Sequence, residues 1–146
     1  MTTKEYLEQI NSLTVKIEQK RQRAKEYREL ALASGGFDYS KERVQTSNLG
    51  GQIENRVIRY VALEQEIMDD VDELQDVKDR IIGQIHNLDN ADYIKILYKH
   101  YVELKCLGVI AGELKISYDW VKHQHVKALQ EFSEKNKDDT QKHLLM

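Results

Sequence analysis

The chain has no proline, one cysteine and only seven glycines among its 146 residues. Without proline nothing interrupts long helices, and scarce glycine leaves few positions for tight turns. The lone Cys106 rules out an internal disulfide and fits a reducing compartment. No apolar run approaches the roughly 20 residues that a membrane-spanning helix needs. The stretch MTTKEYLEQINS lacks the apolar core of a signal peptide. There is no HExxH, no CxxC and no glycine-rich phosphate loop, and the acids after residue 63 lack calcium-loop spacing. His123 and His125 stand two apart, about 200° around a helix, so they cannot grip one metal from the same face. We therefore expect no catalytic residue, metal site, cofactor, small-molecule substrate or membrane association, and a cytoplasmic protein.

What is abundant is charge of both signs. Lysine and arginine number 22 against 25 aspartate and glutamate, for a formal net charge of −3. Such a composition predicts an all-α fold. The first helix is expected from about Thr3 to Ala33. Tyr6, Ile10, Leu13, Ile17, Ala24, Tyr27 and Ala31 follow a 3–4 heptad spacing, with Lys20 in the one missing place. The second is expected from about Gln52 to Leu88, with Ile53, Val57, Tyr60, Glu64, Ile67, Val71, Leu74, Lys78, Ile81, Ile85 and Leu88 in the same spacing. Folded back, the two series match as an antiparallel coiled-coil hairpin. Ile17 then faces Ile67, Ala24 faces Tyr60, and the two polar interruptions, Lys20 and Glu64, share a layer.

The segment 34–51, SGGFDYSKERVQTSNLGG, reads as the hairpin loop. Helix 2 carries more apolar surface than one partner covers, which points to a homodimer through Tyr60, Val61, Leu63, Ile67, Met68 and Val71. Charge is also segregated. Helix 1 holds Lys16, Lys20, Arg21, Arg23, Lys25 and Arg28, whereas helix 2 holds a run of acids from Glu64 to Asp79.

Asn87-Leu88-Asp89-Asn90 breaks the long helix, and Asp89 or Asn90 is placed to cap another from Ala91 to about Leu104. After it comes CLGVIAGELKISYDWVKHQHVKALQEF, residues 106–132. Leu107, Ile110, Ala111 and Leu114 fall at i, i+3, i+4 and i+7 on one helix face. Lys115 and Ile116 form a turn in which Lys115 must accept a left-handed or bridging conformation. Ser117 stands at the N-cap of the next helix, with Asp119 in its first turn. Val121, Ala128 and Leu129 continue the buried face. This is the pattern of a helix-turn-helix, and it makes Ser117, Tyr118, Lys122, His123, Gln124 and Lys127 the candidate DNA-binding residues. The expected domains are a hairpin over 1–88, a three-helix DNA-binding domain over 89–132, and a polar tail over 133–146. One feature opposes the reading: from Asp89 to Phe132 six lysines face six acids, whereas DNA-binding domains are usually basic.

Residues 92–132 resemble region four of sigma factors. Cys106-Leu107 stands at the helix start, Ile110-Ala111 and Leu114 at the "IA..L", and Ser117, Val121, Ala128 and Leu129 at the "S...V......AL". The whole chain resembles phage-encoded regulators of Gram-positive bacteria, the ArpU- and RinA-like late transcription activators. The likeness lies in a helical hairpin, a "VQTS"-like loop at Val44–Ser47, an "ALEQEI"-like stretch at Ala62–Ile67, and a "YSYxxVxxxHxxAL"-like end at Ile116–Val121, His125, Ala128 and Leu129. The chain departs from those regulators at Asp119, where they often carry a basic residue.

The resemblance implies a phage or prophage transcriptional regulator in a bacterial host. It would bind double-stranded DNA near late genes as a homodimer, with host RNA polymerase a further candidate partner. A small terminase-like DNA-packaging protein and a protein-interaction module without DNA binding are the alternatives.

Overall fold

The structure, a computed structural model, describes residues 1–33 and 46–137, and only the backbone of 46–50. The fold is all-α. Helix α1 spans Thr3–Leu7, α2 Gln9–Ala33, α3 Thr46–His86, α4 Ala91–Leu97, α5 Leu107–Leu114 and α6 Tyr118–Lys135, with a wide turn at Tyr98–Val102 following α4. Among the described residues no helix is long and apolar enough to cross a membrane. The loop expected over 34–51 is shorter than that, because the backbone is already helical from Thr46; residues 34–45 lie outside the described residues.

The chain forms two compact units: Met1–Leu13 with the chain from Leu74 onward, and Thr14–Glu73. This differs from the division at residue 88 expected from the sequence. Both the first helical turns and the end of α3 belong with the C-terminal helices.

The N-terminus is shaped by a reciprocal cap. Thr2 Oγ1 accepts from Glu5 N–H and Glu5 Oε2 accepts from Thr2 N–H, both at 3.1 Å. The first helix then breaks at Glu8, where the Gln9 side-chain amide donates to Tyr6 O (2.8 Å). The break lets Tyr6, Leu7 and Ile10 all become fully buried. Tyr6 packs 6.0 Å from the ring of Phe132 on α6, and its hydroxyl donates to Gln84 Oε1 on α3 at 2.7 Å. Val77, Ile81, Ile85, Leu88, Ile96, Leu97, Val121 and Ala128 are among the other core residues of this unit. Burying each of the Val, Ile and Leu side chains contributes about 1.5–3 kcal/mol.

In the other unit α2 and α3 run antiparallel. Lys20 Nζ lies 2.6 Å from Asp70 and 3.5 Å from Glu66, Arg59 lies over the ring of Tyr27, and Arg56 donates to Leu30 O at 3.3 Å. Ile17, Ala24 and Ile67 are buried between the helices. The inward face of α3 is turned from the expected one. Leu63 and Asp70 are half-buried, whereas Val57 and Glu64 are exposed. Lys20 therefore does not share a layer with Glu64. Turning α3 brings Leu63 inward, lets the Glu64 carboxylate out, and leaves Lys20 to find its acids at the seam edge. Those acids hold the Lys20 ammonium above its ordinary pKa, chiefly through the hydrogen bond to Asp70.

Candidate nucleic-acid interface

The start of α4 is fixed by Asn90, whose Oδ1 accepts from Asp92 N–H (2.9 Å) and Tyr93 N–H (3.4 Å). The expected single helix to Leu104 instead widens at Tyr98, where Glu103 N–H donates to Tyr98 O, and the chain then turns through Leu104 at φ 60°. Cys106 stands at the N-cap of α5 with no side-chain capping bond. Helix α5 closes with Lys115 N–H on Gly112 O (3.4 Å) and Ile116 N–H on Ala111 O (3.1 Å), the paired bonds of a Schellman ending. Lys115 takes the left-handed conformation that the ending demands, at φ 58° and ψ 44°. Ser117 Oγ then accepts from Trp120 N–H at 3.2 Å and starts α6.

Three residues thus join two helices, held by the buried cluster of Ile96, Ile110, Ala111 and Val121. Leu107, Leu114, Ile116 and Trp120 pack around it. Ala111 is small where α5 and α6 meet.

This packing decides which side chains of α6 face out. Tyr118, Lys122, His123 and Lys127 are exposed, and Lys122 Nζ lies 5.4 Å from the centre of the Tyr118 ring. Ser117 is exposed, with its hydroxyl engaged as the cap. Gln124 is half-buried, on the flank of Trp120 rather than on the exposed arc. Leu129, expected on the buried face, is half-buried; His125 takes a buried place there instead.

The residue-by-residue charge is more polarised than the net charge suggests. Glu113 accepts from Lys99 (2.9 Å) and Lys105 (2.8 Å), and Glu103 lies 3.3 Å from Lys105. These hydrogen bonds hold the Glu113 carboxyl below its ordinary range, Lys105 first and Lys99 second. Two of the acids in this region therefore neutralise lysines behind the turn. Lys115, Lys122 and Lys127 are exposed and outside these ion pairs; Asp119 is the acid near the first two, and Lys127 shares a groove with Asp89, Glu131 and Glu134. Among the described residues no three His, Cys, Asp or Glu side chains gather as a metal set.

The polar centre of this unit carries no motif of its own in the sequence. The Tyr101 hydroxyl lies 2.8 Å from His125 Nε2, and His100 Nδ1 donates to Lys105 O at 2.7 Å. The signal is one of position: His125 is four residues after Val121 and three before Ala128, on the buried stripe of α6.

The dimer candidates on α3 divide. Ile67 is buried within the chain, and Tyr60, Leu63 and Val71 are half-buried. Val61 and Met68 are exposed, at 58% and 61%. No family model, curated protein or solved structure matches the chain.

Proposed function

We propose that the chain is a cytoplasmic, DNA-binding transcriptional regulator of the phage-encoded ArpU- and RinA-like kind. It works as a homodimer joined through the Thr14–Glu73 unit, with α6 reading an operator. The observation that carries the reading is the short capped junction between α5 and α6. A left-handed Lys115 and the Ser117 cap turn the first turns of α6 outward, with Lys115, Lys122 and Lys127 left to meet phosphates. Tyr118, Lys122 and His123 are exposed in the first two turns of α6, where recognition helices meet base edges.

The experiment is binding to a fragment library of the encoding genome across a salt series. We expect selective retention of one fragment. Lys122→Ala should weaken it, and loss of a phosphate contact should reduce the salt slope by about 1. No retention even at low salt overturns the reading. An eight- to ten-fold ring in solution would move it to a DNA-packaging role.

A further inference from the structure

The Thr14–Glu73 unit leaves a second apolar seam on α3 beside the one that α2 covers. Val57, Val61, Glu64, Met68 and Val71 alternate four and three residues apart, the spacing of a coiled-coil face. Val57, Val61 and Met68 are 46%, 58% and 61% exposed. Part of the seam lies in a groove lined by Arg21, Glu64, Ile67, Met68, Val71 and Asp72.

The charge of the unit is divided along its length. The half made of residues 21–33 and 51–63 carries Arg21, Arg23, Lys25, Arg28, Arg56 and Arg59 against three acids. The half made of residues 14–20 and 64–73 carries Glu18, Glu64, Glu66, Asp69, Asp70, Asp72 and Glu73 against two lysines.

We infer that this seam takes a second copy of the chain, antiparallel and side by side, with the two-fold axis near the middle of the seam. The inference rests on the homodimer in the proposed function and gives it a surface and an orientation. A parallel pairing sets the acidic half on its like and the basic half on its like. An antiparallel pairing sets the acidic half of each copy along the basic half of the other and buries Val61 and Met68 of both. Like charges held together oppose association, and complementary ones favour it and fix the register.

The test uses the full chain with Cys106→Ser and one nitroxide label at a time, at Gln65→Cys or Glu54→Cys, both exposed positions. Sedimentation gives the oligomeric state, and pulsed electron spin resonance gives the label-to-label distance. We expect a dimer in which the residue-65 labels are close and the residue-54 labels are offset by about 30 Å along the helix axis, from 1.5 Å per residue counted on both copies.

Short, equal distances at both sites mean a parallel dimer and overturn the inference while leaving a hairpin dimer. Long distances at both, or a monomer, overturn the inference and the hairpin dimer together. DNA retention measured on the same samples reports separately on operator binding. Reversing the basic half with Lys25→Glu and Arg28→Glu should dissociate the dimer. Adding Asp72→Lys and Glu73→Lys should restore it, with helicity unchanged throughout; failure of both steps counts against the antiparallel arrangement.

Discussion

The Tyr101 hydroxyl and His125 Nε2 lie 2.8 Å apart inside the C-terminal unit. His125 is buried, and loss of hydration pushes its pKa down to about 4, with His100 and Lys4 adding to the effect. Burial moves Tyr101 the other way, raising its pKa, with Glu8 adding to it. The pair is therefore a neutral imidazole and a neutral phenol, and the phenol is assigned as the donor. The groups that face it come from three elements: Lys4 from α1, Glu8 from the break that follows, and His100 from the wide turn after α4.

This arrangement predicts acid lability. In the unfolded chain His125 titrates near 6.5, so between pH 6.5 and 4 the unfolded state binds more protons than the folded one. Its contribution is fully present above pH 6.5 and is lost as pH falls toward 4. By pH 5 the loss should be about 2 kcal/mol. Denaturant titrations at pH 7 and 5 should show it, and His125→Gln should flatten the difference. An unchanged difference in His125→Gln would assign the lability to another group.

Tyr6 predicts that the N-terminus holds the C-terminal unit together. Its ring is fully buried beside Phe132, and its hydroxyl reaches Gln84 on α3. Tyr6→Ala should cost about 3–5 kcal/mol, the range for truncating a buried aromatic ring. Tyr6→Phe should cost about 1–2 kcal/mol by removing the donor alone. Near-UV circular dichroism of the Trp120 environment should report the loss, although Trp120 is more than a hundred residues away in sequence. A Tyr6→Ala variant that melts like wild type would show the N-terminal turns to be dispensable.

How far the sequence carried the fold follows from the range of the signals. Ser117, Asn90, Lys115 and the Leu107–Leu114 stripe were legible because caps, turns and helix faces are set by residues within four positions of one another. The turning of α3 was not legible. Val57 and Leu63, or Glu64 and Asp70, fit neighbouring heptad frames about equally well, and only the partner helix chooses between them. The same holds for Tyr6, which fits a hairpin seam on paper but packs against Phe132. The polarity of the α5–α6 region was hidden by its zero net charge, because Glu113 and Glu103 are spent on Lys99 and Lys105. In the tail, Lys135 donates to Asn87 O and Asp89 (both 2.9 Å), and α6 runs past the expected end at Phe132.

Lys115 carries a left-handed backbone that most side chains resist. Lys115→Gly should therefore stabilise the unit by about 0.5–1 kcal/mol, and Lys115→Val should destabilise it. Thermal melts of the three proteins should rank Gly above Lys above Val. On the operator-binding reading Lys115→Gly should also bind DNA more weakly, so stability and affinity part ways at one residue.

Asp119 should separate them in the opposite sense. It sits in the first turn of α6, where a carboxylate favours the helix dipole by about 0.3–1 kcal/mol. It is also exposed between Tyr118 and Lys122, on the arc proposed to meet the phosphates. Asp119→Asn removes the charge and keeps the size. It should lower the melting temperature slightly and tighten DNA binding by about two- to tenfold at low salt, from relief of charge repulsion in partly screened surroundings. The gain should shrink as salt rises. If affinity is unchanged while stability falls, Asp119 acts only on its own helix and the first turn of α6 does not approach the phosphate backbone.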